Sequence, residues 1–180
     1  ASRFDEAAQL LDRAIAIFEA VGDADGAGGA INDLAIVYEH TNRLEEAARL
    51  HRRAIVIAET TFLPDDPRTA TSLSNLATVL FHLERFREAE ALNRRVLELR
   101  RRSLPPDDQE IARALSNLAM VVEDRAEAER LLREALDIRE RVLPADHPDI
   151  ATNLNNLALR LDVTRELEEK EKLYRRALDI

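Results

Sequence analysis

Apolar residues recur along this chain at helical spacing. Leu73, Leu76, Ala77 and Leu80 stand at i, i+3, i+4 and i+7, which places them on one stripe of an α-helix. A short polar stretch follows, His82-Leu83-Glu84-Arg85, and then a second stripe of Phe86, Ala89, Leu92, Val96 and Leu99. Asp65-Asp66-Pro67 opens the first segment. Asp66 is suited to cap free backbone N–H groups, and Pro67 to the first helical position, where its missing N–H is not needed. Leu104-Pro105-Pro106 closes the second segment, because Pro removes a donor and crowds the preceding turn. The pattern predicts a helix pair over 66–103.

That pair is copied along the chain. Asn75-Leu76-Ala77 returns 42 residues later as Asn117-Leu118-Ala119, and 39 residues after that as Asn156-Leu157-Ala158. Asp33-Leu34-Ala35 stands one period earlier. Leu50, Leu92, Leu131 and Leu173 keep the same step in the second helix. A fixed period of this length marks a helical solenoid. The expected fold is all-α: an α-solenoid of antiparallel helix pairs, with one orphan second helix over 3–20 and four repeats over 25–60, 66–103, 108–142 and 148–180. The whole of 1–180 reads as one array. It opens in mid-repeat and stops inside a helix, so it is expected to be a piece of a longer chain. Ala35, Ala77, Ala119 and Ala158 in the first helices, with Ala7, Ala47, Ala89 and Ala128 in the second, leave room for close helix approach.

Composition narrows the function. The net charge of −9 argues against nucleic acid, which requires a basic stripe. No apolar run approaches the roughly 18–20 residues of a membrane span. The lack of cysteine fits a reducing compartment, and a cytoplasmic location is expected. Arg supplies all but two of the 26 basic residues, which suggests a bacterial source of high GC content. No phosphate loop, nucleophile elbow or metal-ligand spacing is present, so no enzyme, cofactor or metal is expected. His40 and His82 fall in equivalent turns, and His147 precedes Pro148 where a capping or turn role suits it. The runs Arg94-Arg95, Arg100-Arg101-Arg102 and Arg175-Arg176, interleaved with Glu98, Glu134 and Glu140, read as solvated faces with i,i+4 pairs.

His147-Pro148-Asp149-Ile150-Ala151-Thr152-Asn153-Leu154-Asn155-Asn156-Leu157-Ala158, then Glu171-Lys172-Leu173-Tyr174-Arg175-Arg176-Ala177-Leu178, resemble a tetratricopeptide repeat of the kinesin light chain type. The linker Arg141-Val142-Leu143-Pro144-Ala145-Asp146-His147-Pro148 and the 42-residue step carry the same resemblance. There are departures. Leu63, Pro105 and Pro144 replace the Gly that usually ends the second helix. Lys170 stands where Ala47, Ala89 and Ala128 stand elsewhere. The third repeat is three residues shorter in its inner turn, at Glu123-Asp124-Arg125.

The resemblance implies that the first helix of each pair lines a concave groove. The candidate groove residues are Asn32, Asp33 and Ile36; Thr71, Ser74, Asn75 and Thr78; Arg113, Ser116, Asn117 and Met120; and Thr152, Asn155, Asn156 and Leu159. By the same resemblance, Asn75, Asn117 and Asn156 would hold peptide backbone, since an amide offers donor and acceptor together. Asn is a poor helix former, and stacking between repeats would explain its recurrence equally well. Both readings stay open at this point. The expected function is a scaffold that binds a protein or an extended peptide in the groove, with no nucleic-acid or membrane partner. Two alternatives stand beside it: an array that self-associates end to end through apolar stripes at its termini, Leu11, Ile15 and Phe18 at one end and Leu173 and Leu178 at the other, and the regulatory sensor arm of a larger signalling protein.

Overall fold

The computed structural model describes residues 3–63, 65–161 and 166–180. Among the described residues there are nine α-helices and no strand: α1 (Arg3–Val21), α2 (Ala24–His40), α3 (Leu44–Thr61), α4 (Pro67–His82), α5 (Phe86–Ser103), α6 (Gln109–Val121), α7 (Arg125–Val142), α8 (Pro148–Arg160) and α9 (Leu167–Leu178).

Their boundaries follow from local chemistry. Asp23, Asp66, Asp108 and Asp124 each accept a backbone N–H of the first turn that follows. His147 does the same through Nδ1, accepting from the Asp149 N–H at 3.1 Å. Such caps contribute about 1 kcal/mol each. Pro67 and Pro148 occupy the opening turns of α4 and α8, as their fixed φ favours. Three helix ends turn through a left-handed residue: Gly22, Asn42 and Glu84, with φ of 72°, 59° and 59°. The next N–H in each case reaches back to a carbonyl of the last turn: Asp23 to Phe18, Arg43 to Tyr38, Arg85 to Leu80.

The chain forms two compact units, Ala1–Leu99 and Arg100–Ile180. In the first, α1 packs on α2, α2 on α3 and α3 on α4. Ile15, Ala30, Ile31, Leu34 and Ala54 form a core, with Leu11, Phe18, Tyr38, Leu50 and Ile57 around it. In the second, α6 packs on α7, α7 on α8 and α8 on α9. Leu115, Leu118, Leu132, Ile150, Leu154 and Leu157 are buried there. The alanine columns do what their size permits: Ala35, Ala119, Ala158, Ala47, Ala89 and Ala128 are all 0% exposed.

The last helix departs from its siblings. No residue of α9 is buried, and Lys170 is half-buried at the position its siblings fill with enclosed alanines. A long side chain of this kind lays its stem along apolar surface and keeps its ammonium in water.

Candidate functional site

A helix turns by 100° per residue, so neighbours in sequence serve different faces. This separates the recurrent polar residues of the first helices into distinct columns. Four residues before the recurrent Leu stand Ala30, Ser72, Ala114 and Asn153, all buried. Two before it stand Asn32, Ser74, Ser116 and Asn155. Immediately before it stand Asp33, Asn75, Asn117 and Asn156.

The first two columns meet between successive first helices. In the first unit, Asn32 Nδ2 of α2 donates to Ser72 Oγ of α4 at 3.1 Å. Behind them lies His51 of α3, wholly enclosed, with Nδ1 2.9 Å from Asn32 Oδ1 and Nε2 2.8 Å from Glu39 Oε1. In the second unit, Ser116 Oγ of α6 lies 3.2 Å from Asn153 Oδ1 of α8. Arg139 of α7 donates to both, at 3.0 Å for the hydroxyl. Asn153 Nδ2 donates to the Leu132 carbonyl at 2.8 Å. Burial pushes the Arg139 guanidinium below its ordinary value, against the pull of Asp149. Arg100, one period earlier, is lowered by the same cause and bonds the Glu110 carbonyl and carboxylate.

Asn32 and Ser116 are therefore engaged in repeat stacking. Asp33 and Asn155 are exposed, and Asn75 and Asn156 are half-buried. The side chains of these four make no hydrogen bond or ion pair among the described residues. Asn117 is half-buried and has a partner. Thr71, Thr78 and Thr152 turn their hydroxyl protons back to the carbonyls of Pro67, Ser74 and Pro148, at 3.0–3.1 Å, leaving lone pairs facing outward. Ser74 is half-buried. Arg113 is exposed and pairs with Glu110. Ile36, Met120 and Leu159, one turn past the Asp/Asn column, are 40%, 42% and 60% exposed.

His51, Ser72, Asn153 and Arg139 are packing residues that sequence reading missed, and Arg100, read there as part of a solvated face, is instead buried against α6. A signal existed. Ser72 and Asn153 are polar at a register filled elsewhere by Ala30 and Ala114, on the face that must be buried.

The basic runs of the second helices meet acids on the next second helix as well as on their own. Arg53 pairs with Glu19, Arg95 with Glu59 (2.6 Å), Arg101 with Glu134 (2.5 Å), Arg133 with Glu169 (2.9 Å) and Arg176 with Glu140 (2.5 Å). Pairs at i,i+4 also occur, at Glu90–Arg94 and Glu171–Arg175, whereas Glu134 and Glu140, expected to pair along their own helix, reach Arg101 and Arg176 on neighbouring ones. Exposed pairs of this sort contribute well under about 1 kcal/mol each. They neutralise the arginines and orient successive second helices.

Two depressions lie in the first unit. One, of about 140 Å³, has a floor of Ala54, Ile57 and Ala58 from α3 and walls of Gly28, Gly29 and Asn32 from α2 and Thr71 and Ser72 from α4. Arg68 stands at its mouth, stacked over Phe62 at 3.4 Å and bonded to Asp25 and Asp66, each at 2.9 Å. The second, of about 410 Å³, is lined by Ile36, Glu39, His40, Asn42, Leu44 and His82. No group of three metal-ligating side chains is found among the described residues. No described helix is long and apolar enough to cross a membrane.

Helix hairpins repeated at 39–42 residues, stitched within each unit first helix to first helix and second helix to second helix, define a helical-repeat protein. The tetratricopeptide repeat models match residues 1–60, 29–102 and 68–125, and, in a second form, 111–149 and 150–180. The chain belongs to the tetratricopeptide repeat family. Among solved structures it is similar to BtubC (BKLC) from P. vanneervenii, with 24% identity and a TM-score of 0.89 over 99% of this chain and 73% of that one. A putative kinesin light chain of Podosopora anserina with nearly identical TPR-like repeats gives 20% identity and 0.83 over 98% and 86%. The signal transduction ATPase PH0952 of Pyrococcus horikoshii, which has a tetratricopeptide repeat sensor, gives 15% and 0.80 over 98% of this chain and 27% of that one. Comparison with curated proteins gives no match.

Proposed function

We propose that this chain is a non-catalytic scaffold that binds an extended peptide along the outward face of its first helices. Tetratricopeptide repeats as a fold mediate protein–protein interaction, and the finer reading rests on one observation. The amides of Asn75 and Asn156 recur at one register with no partner among the described residues, while the residues beside that column, Asn32 and Ser116, are consumed by stacking. A half-buried amide with donor and acceptor open can pair with a peptide N–H and C=O together. Asn117 and Asp33 continue the column, and Met120 and Leu159 add exposed apolar surface one turn on.

The test is a peptide titration against Asn75→Ala and Asn156→Ala. Affinity should fall several-fold in each with the melting temperature unchanged. A fall in melting temperature at constant affinity would assign these amides to the stack instead. Self-association is a second reading: the expected stripe of Leu11, Ile15 and Phe18 is taken up by the core, but Leu10, Ile17 and Val21 on another face of α1 are 58%, 61% and 71% exposed. Sedimentation across a concentration series separates the two. The sensor of the Pyrococcus ATPase supports a third role, as the regulatory arm of a larger signalling protein.

A further inference from the structure

The helix α2 carries Gly26, Gly28 and Gly29 within one turn, although glycine disfavours helices. Packing accounts for two of them. A Cβ on Gly26 would lie 2.5 Å from Phe18 Cδ1, and one on Gly28 would lie 3.3 Å from Ile57 Cγ2. It does not account for Gly29, whose Cβ would meet nothing within 4 Å. The register of Gly29 is filled by Thr71, Arg113 and Thr152 in the other first helices. Gly29 instead borders the depression of about 140 Å³ floored by Ala54, Ile57 and Ala58. A cavity of about 150 Å³ accommodates a benzene-sized apolar group. The floor is aliphatic, and the polar groups Asn32 and Ser72 are already bonded to each other.

Charge around this depression is one-sided. The helix α2 has Asp25, Asp33 and Glu39 and no Lys or Arg. The helix α4 has only Arg68, which Asp25 and Asp66 already hold. Asp25, Gly29 and Asp33 succeed one another at i, i+4 and i+8 and so share a face. In the second unit the corresponding helices are balanced, Glu110 with Arg113 in α6 and Asp149 with Arg160 in α8.

We infer that the Gly29 depression is an anchor pocket for one aliphatic side chain of a peptide that also carries Lys or Arg beside that residue. Gly29 leaves the rim of the pocket uncovered, and Asp33, which Arg68 does not hold, receives the flanking cation. This rests on the peptide-scaffold reading and adds the chemical class of the ligand.

The experiment is selection of a random dodecapeptide display library on the intact 180-residue chain, followed by titration of the strongest peptide as a synthetic. The expected peptides share one aliphatic residue next to a basic one. Affinity should fall at least tenfold when that residue is changed to Ala, and equally in Gly29→Leu, whose side chain would cover the rim of the pocket and, starting in open space, spare the fold. Asp33→Asn should weaken binding several-fold at low salt and little at high salt. Peptides that bind through Asn75 and Asn156 but are indifferent to Gly29→Leu and to loss of their own aliphatic residue would overturn the pocket and leave the scaffold intact. Recovery of no binding peptide would overturn both.

Discussion

Between α2 and α4 the joining atoms are the Asn32 amide and the Ser72 hydroxyl, with His51 of α3 behind them. Between α6 and α8 they are the Ser116 hydroxyl and the Asn153 amide, with Arg139 of α7 behind them. The two junctions use the same pair of registers with amide and hydroxyl exchanged, and the support comes from different positions of the intervening second helix. In both, the bridge sits at the same pair of registers; which residue supplies donor or acceptor is free. The exchange also shifts the load. Asn32 keeps part of its surface in solvent, whereas Asn153 is wholly enclosed and serves Arg139, Ser116 and the Leu132 carbonyl at once.

The largest effect expected from this asymmetry is at Asn153. Asn153→Ala takes from the half-buried Arg139 guanidinium one of its two acceptors, leaves a void in a fully enclosed site, and should cost about 3 kcal/mol in urea unfolding of the intact chain. Asn32→Ala should cost about half as much, because Asn32 is itself only half-buried and His51 keeps its bond to Glu39. Equal losses at the two sites would show that the junctions are equivalent and that enclosure does not set the cost.

A smaller effect separates the hairpin turns. Asn42 and Glu84 occupy the same left-handed register, which Asn tolerates and Glu does not. Glu84→Gly should raise stability by about 1 kcal/mol, and Asn42→Gly should change it little. Thermal melts of the two variants check this, and a loss on Glu84→Gly would mean that its side chain makes a contribution larger than the backbone strain.

The smallest is an acid effect at the head of α4. Hydrogen bonds from the Arg68 side chain, then from its backbone N–H, hold the Asp66 carboxyl down to about 2 from its ordinary 3.8. The folded state thus favours the charged cap. Its contribution is complete above about pH 4 and is lost as the pH falls toward 2. The Arg68 amide resonance should report loss of the cap in that window, and a transition centred near 4 would show that Arg68 does not hold the carboxylate.

Much of this was legible beforehand because it depends on local spacing. The i, i+3, i+4 stripes and the period located the helices. Pro67 and Pro148 fell in opening turns, and Asp66 and His147 cap, because those roles are decided within one turn of chain. The polar bridges were not legible. The period flags Asp33, Asn75, Asn117 and Asn156 as a column, yet the stack uses registers one and three residues earlier, and a rotation of 100° decides which residue meets the next repeat. Ser72 lies 40 residues from its partner Asn32, and Asn153 lies 37 from Ser116. The Arg–Glu pairs across second helices were missed for the same reason: offsets of 33–36 residues belong to packing and not to helix periodicity.

The division of labour between adjacent columns is open to one direct measurement: thermal unfolding of Asn75→Ala and Asn156→Ala beside Asn32→Ala and Asn153→Ala in the same buffer. The first two should melt with the parent chain, since their amides bond nothing among the described residues, and the second two should melt several degrees lower. If Asn75→Ala and Asn156→Ala melt as low as the junction variants, those amides belong to the stack and no column is left over for a ligand.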